Sequence, residues 1–155
     1  MTINTGYIVT AIGILLAFGC NPSKKSFITF DVGPWNKDRE ISFHLDPMTG
    51  AIIVPEIRIE HRLDYKFENL YLLVTVLSNK DLLRSDTVSV QLASDSGYWS
   101  GKCSDKLCKV DYRFPYSFSS PREGPLEIKV KQFSRLDTLK GVENIGLRLI
   151  ETTGN

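Results

Sequence analysis

The sequence predicts an all-β fold, a β-sandwich or jelly-roll-like single domain preceded by a lipoprotein signal peptide. Three observations carry this. The apolar runs beyond residue 26 are short, most of them alternate apolar and polar residues with a period of two, and turn-forming Gly, Pro, Asn and Asp separate them at close intervals.

Size and composition fit a single soluble body. A chain of 155 residues corresponds to one domain. At this size roughly two-thirds of the unfolded surface is buried on folding, so a core forms without help from a metal or a disulfide. Apolar residues make up 42% and charged residues 24%, ordinary values for a globular domain, and the net charge of +1 argues against a nucleic-acid partner.

The first nineteen residues stand apart. Residues 1–19 hold no Lys, Arg, Asp or Glu, and residues 8–18 form an apolar and small-residue run broken only by Thr10. That run is shorter than the ~20 residues a membrane-spanning helix needs, and it matches the h-region of a secretory signal. Cys20 follows Ala17-Phe18-Gly19, where a small residue suits a signal peptidase and the thiol can accept a diacylglyceryl group. The competing reading is a buried N-terminal segment ending in a chance cysteine. The organisation expected is a signal peptide at 1–19, a lipidated Cys20 with its tether at 20–26, and a β-sandwich domain at 27–155. Acyl chains contribute about 0.8 kcal/mol per buried CH₂, so a multiply acylated Cys20 would hold the domain on a membrane.

The strands are expected in order. Residues 26–32 alternate, with Phe27, Thr29 and Asp31 on one side and Ile28, Phe30 and Val32 on the other, and Gly33-Pro34 ends the run. Residues 41–45 place Ile41, Phe43 and Leu45 against Ser42 and His44, and Pro47-Met48-Thr49-Gly50 reads as a turn. Residues 57–63 alternate again, with His61 on the apolar side. Residues 70–77 are apolar on both faces except at Thr75, the pattern of a central strand covered on both sides. Residues 87–92 turn Val88, Val90 and Leu92 inward, and Gly97 and Gly101 mark a tight connection. Further strands are expected at 107–114, 116–119, 126–133 and 146–151. Residues 136–144 alone look helical, enough for one or two turns.

No constellation for catalysis or for a cofactor stands out. His44 and His61 are the only histidines, and no third ligand is spaced to join them in a metal site. No nucleophile elbow, phosphate loop or dinucleotide fingerprint occurs. The carboxylates fall in turns or on wet strand faces. Cys103 and Cys108 lie close enough to form a disulfide outside the cytoplasm, and two free thiols are equally compatible with their spacing. Trp35 and Trp99, with Tyr98, Tyr112 and Tyr116, either cap the ends of the core or stack on sugar rings. The glycan-binding alternative requires both tryptophans to be exposed on one face. Residues 132–148 carry Gln132, Arg135, Asp137, Lys140 and Arg148 among apolar Leu136, Leu139, Val142 and Ile145. This reads either as a cover over one end of the sandwich or as a partner-docking surface formed by Gln132, Arg135, Asp137 and Arg148.

Four segments resemble the gliding motility lipoproteins H (GldH) of Bacteroidetes: residues 35–43; Asp86-Thr87-Val88; Leu92-Ala93 followed by Gly97-x-Trp99-x-Gly101; and the tail. The tail is the most specific, with Gln132, Arg135, Asp137, Leu139, Gly141-Val142 and Ile145-Gly146-Leu147-Arg148-Leu149. The sequence departs from the pattern at Ser94, where Asp is expected, and at Cys103, where Gly is expected. The resemblance implies a non-enzymatic outer-membrane lipoprotein, acylated by palmitate-type chains at Cys20, that is an accessory part of the gliding motility and type IX secretion apparatus. Its implied partners are the membrane, through the lipid, and other envelope proteins of that apparatus, with no cofactor. Surface-exposed lipoproteins of the phylum carry an acidic cluster after the acylated cysteine. The basic tether Asn21-Pro22-Ser23-Lys24-Lys25 therefore points to the periplasmic side of the outer membrane.

Overall fold

Alternating runs pair wherever two of them can bury their apolar sides together. The structure, a computed structural model, describes residues 26–152 other than positions 47 and 49. The signal peptide, Cys20 and the tether up to residue 25 lie outside the described residues. The strands are β1 (Ile28–Asp31), β2 (Trp35–Asn36), β3 (Glu40–Leu45), β4 (Ile52–Arg62), β5 (Asn69–Ser78) and β6 (Asp81–Gln91). They continue with β7 (Lys102–Cys103), β8 (Leu107–Arg113), β9 (Phe118–Ser119), β10 (Leu126–Gln132), β11 (Thr138–Leu139) and β12 (Val142–Thr152).

Two antiparallel sheets face each other. The larger runs β1-β12-β4-β8-β7, with β9 also against β4, and the smaller runs β3-β10-β5-β6. The long strands pair in nested fashion: β1 with β12, β3 with β10, β4 with β8, and β5 with β6. The outermost strands of the chain therefore pair with each other and each inner pair lies within the last, which is the wrapping of a jelly roll. Ile53, Ile57, Ile59, Ile145 and Leu147 from the larger sheet meet Phe43, Leu72, Val74, Ile128 and Val130 from the smaller in one continuous core. At the β1/β3 edge the rings of Phe30 and Phe43 close the gap edge-on, with centroids 5.1 Å apart.

The outer face of the larger sheet is a lattice of ion pairs. Arg58 grips Asp111 through two bonds of 2.6 and 2.7 Å, Lys109 meets Glu60 at 2.8 Å, and the Arg148 Nε donates to Glu56 at 2.6 Å. The Arg58 guanidinium holds the Asp111 carboxyl below the usual carboxylate range. Phe27 lies across this face between the guanidinium groups of Arg58 and Arg148, at 4.0 and 4.4 Å from the ring centre. Gly146 makes room for it, since a Cβ there would stand 3.4 Å from the Phe27 side chain and 3.1 Å from the Thr29 hydroxyl.

Several expectations need correction. Residues 136–144 form no helix. Thr138–Leu139 pairs with Trp35–Asn36, Gly141 takes φ +92°, and Val142 already begins the last strand. The helix-like three-residue spacing of Leu136, Leu139 and Val142 arises although Leu139 is drawn into the core beside Trp35 while Leu136 stays outside. β4 begins at Ile52 rather than 57 and passes through Pro55. The Pro55 carbonyl accepts from the Phe114 N–H, so its missing N–H would face the gap between the β8 and β9 pairings, where no ladder partner waits. β6 begins at Asp81, hidden in the sequence because its first half is a wet edge. The strand expected at 116–119 shrinks to Phe118–Ser119. β5 is central in its sheet, but only one of its faces is covered, and Tyr71 remains 47% exposed on the other.

Two glycines in the same loop separate backbone strain from crowding. Gly97 has φ +83° and open space around a would-be Cβ, whereas at Gly101, with φ +82°, a Cβ would stand 2.3 Å from the Lys109 carbonyl oxygen. Gly97→Ala is expected to cost about 1–2 kcal/mol from the left-handed backbone alone. Gly101→Ala adds the clash and should exceed that cost by about 2 kcal/mol. Urea unfolding of the two variants checks the difference.

Candidate functional site

The turn that follows β10 is wired by Gln132. Its side chain is buried. Its Oε1 accepts from the Ser134 N–H at 2.8 Å and from the Ser134 hydroxyl at 2.6 Å, and its Nε2 donates to the Leu136 carbonyl at 3.0 Å. Three of the amide's four hydrogen-bonding positions are used within the turn, and the turn then holds two apolar side chains outward. Phe133 is 58% exposed, Leu136 is also exposed, and the Phe133 N–H is tied to the Tyr71 carbonyl at 2.8 Å.

Across from this turn run the connection from β4 to β5, with Phe67 exposed, and the start of β5, with Tyr71 exposed. Between the two lies an open groove of about 940 Å³, whose walls include Phe67, Tyr71, Phe133 and Leu136, with Leu70 and Leu139 also lining it. Lys66, Glu68 and Arg135 bring charge to the lining. The groove is thus mainly apolar and aromatic.

Behind the groove sits an aromatic cluster. Tyr65 lines the groove and lies 5.6 Å from the His61 ring, and Trp99 lies 4.6 Å from His61 on another side. Trp99 folds back as its flanking glycines suggested, and its indole N–H donates to the Leu63 carbonyl at 3.2 Å. Trp35 is wholly buried and donates to the Arg39 carbonyl at 2.9 Å. The two tryptophans therefore share no exposed face, which removes the arrangement the glycan-binding alternative required.

The candidate docking residues have separate roles. Gln132 scaffolds the turn and Arg135 lines the groove. Asp137 faces Lys37, which holds its carboxyl below the usual range, and the Asp137 carbonyl accepts from the Lys37 N–H at 2.8 Å. Asp137 thereby fastens β11 to β2. Arg148 is elsewhere, on the outer face of the larger sheet with Glu56. The sequence reading missed Phe67, Tyr71 and Phe133. The signal for Tyr71 was the apolar outer face of residues 70–77, which was assigned to a covered strand.

Among the described residues no group of three or more His, Cys, Asp or Glu is placed to hold a metal. His44 is exposed on the smaller sheet, while His61 points into the core from the larger. Cys103 and Cys108 face each other across β7 and β8 and are joined by a disulfide.

His61 carries a pH signature. Its Nδ1 donates to the Arg62 carbonyl at 3.0 Å, leaving Nε2 buried without a partner. Burial pushes the ring's pKa below its ordinary value, partly offset by the Arg62 carbonyl. A folded-state pKa below the unfolded one gives stability that is full above the unfolded value of about 6.5 and is lost as pH falls. The urea midpoint is expected to drop between pH 7 and pH 5. His61→Phe should flatten that dependence, and an unchanged slope in the variant would remove His61 as its source.

Comparison with known proteins places the chain. The family model described as GldH lipoprotein matches residues 23–149. The chain is 25% identical over 158 residues to the gliding motility lipoprotein GldH of Flavobacterium johnsoniae, covering 94% of this chain and 95% of that protein. It is 20% identical over 144 residues to the gliding motility lipoprotein GldH homolog of Christiangramia forsetii, covering 88% and 89% respectively. Among solved structures, dimeric latent PorU from Porphyromonas gingivalis shares 11% identity at a TM-score of 0.35, over 86% of this chain and 14% of that one. With the family matched along nearly all of the domain, as the tail residues indicated, the chain belongs to the GldH lipoproteins.

Proposed function

We propose that this chain is a non-catalytic accessory lipoprotein of the gliding motility and type IX secretion apparatus. It is held by an acylated Cys20 in the inner leaflet of the outer membrane, faces the periplasm, and docks a protein of that apparatus in the groove between Phe67, Tyr71, Phe133 and Leu136. The observation that carries this reading is family membership across residues 23–149, with relatives named as gliding motility lipoproteins.

The groove supports a binding role over a chemical one. Its ionisable lining residues are Lys66, Glu68 and Arg135, with Tyr65 and Tyr71, and it holds no His or Cys. Its aromatic side chains are rigid and half wet, so covering them releases ordered water at little cost in side-chain freedom.

The experiment is recovery of the tagged full chain, acylated at Cys20, from native envelopes after mild crosslinking. Enrichment of motility or secretion components over a control lipoprotein is expected, and Phe133→Asp with Leu136→Asp should cut it on the order of tenfold. Cys20→Ser should release the protein from the membrane fraction. Recovery of polysaccharide-uptake proteins instead, or of nothing above the control, contradicts the proposal.

A further inference from the structure

The two ends of the sandwich differ, and the difference concerns the membrane. Ser26 lies beside Leu45, Asp46 and Leu147–Leu149 in a crevice spanning both sheets. From Leu45 the register crosses the smaller sheet through Leu126 and Ser78 to Asp81. Neighbouring strands are about 4.8 Å apart, so the β5–β6 hairpin stands roughly 15 Å across the same end of the domain as the tether. The groove lies at the other end of β5, a strand length of roughly 25–30 Å away.

That hairpin presents an unusual corner. Asn79 and Lys80 both take positive φ, of 50° and 73°, which makes a two-residue turn matched to strand twist. The turn is fixed in place: the Asn79 N–H donates to the Pro125 carbonyl at 3.1 Å, and its side chain packs where Gly124 has none. A register shift between Val76 and Leu77 then leaves Leu83 as an extra residue. Leu82 and Leu83 emerge 63% and 49% exposed, consecutive at the tip and just after the exposed Lys80 and Asp81. Arg84 does not join them, because it lies over the Tyr116 ring and pairs with Asp86.

We propose that the Leu82–Leu83 corner is a second, non-covalent membrane contact, dipping into the headgroup boundary of the bilayer that holds the acyl chains. The inference rests on the reading of Cys20 as lipidated. Five residues separate Cys20 from Ser26, and the six steps from one to the other reach roughly 20 Å at full extension. The bilayer surface therefore lies within about one domain radius of this end. Two adjacent leucines on a tip fixed by Asn79, with Lys80 for lipid phosphates and Asp81 for the headgroup amines, suit an interface where apolar side chains are buried shallowly and charged side chains meet headgroups. With the tether at one corner and the leucines at the other, two contacts would fix the tilt of the domain and turn the groove away from the membrane.

The test uses the full acylated protein in phosphatidylethanolamine vesicles, with and without phosphatidylglycerol, carrying an environment-sensitive fluorophore on Lys80→Cys or, at the opposite end, on Asp95→Cys. Lipid-borne quenchers should dim the probe at 80 several-fold more than the probe at 95, and Leu82→Asp with Leu83→Asp should abolish the difference. These leucines are exposed, so unfolding curves should be unchanged by the substitutions. Equal, weak quenching at both positions on protein that still floats with the vesicles overturns the corner contact and leaves the anchor standing. Flotation that is indifferent to Cys20→Ser overturns the anchor reading itself. A probe response at 80 in native envelopes but not in lipid vesicles assigns the corner to a protein and overturns the lipid proposal.

Discussion

Everything in this domain depends on seating the last strand between the first strand and β4. β12 pairs with β1 on one side and with β4 on the other, through Leu147 opposite both Ile28 and Ile57. Of the nested strand pairs only β5 with β6 is a local hairpin, and the others close long loops, so the chain must nearly complete its wrapping before the core is sealed. Two details of β12 serve that seating on its outer face. Gly146 lets Phe27 cross, and Arg148 meets Glu56, both side chains largely withdrawn from water. Removing the arginine would leave a carboxylate in a poorly hydrated site with Arg113, 3.7 Å away, and the field of Arg58 to compensate it.

The same wrapping gives the molecule its polarity. Because β1 and β12 run together, the chain reaches the sandwich at the end where β5 turns into β6, and the connections from β4 to β5 and from β10 to β11 gather at the other. One end receives the tether and offers two leucines. The other offers the aromatic groove. The outer face of the larger sheet is covered by charges that pair among themselves, so that among the described residues the groove stands out as a broad apolar feature.

Much of the fold was legible in the residues. Strands such as Glu40–Leu45 and Leu126–Gln132 follow plain alternation, and the turning-back of Trp99 follows from its flanking glycines. What misled was pattern without context. Leu136, Leu139 and Val142 look helical, although one side chain is drawn inward and its neighbour outward by a turn whose organiser, Gln132, gives no local signal of burial. The tail motif read either as a cover over one end of the sandwich or as a docking surface, and three of its polar residues carry bonds within the fold: Gln132 bonds a turn, Asp137 holds Lys37, and Arg148 holds Glu56. The groove escaped because its aromatics come from three segments, and its one local clue, the apolar outer face of β5, looks the same whether covered or waiting to be covered.

The central claim is that the domain stands with its groove end away from the membrane that anchors it. Photo-crosslinking in native envelopes tests it most directly, with a photoreactive residue at position 136 in one form of the protein and at position 80 in another. The account predicts a protein adduct from 136 and lipid adducts from 80. Lipid adducts from 136, or the same products from both positions, would contradict it.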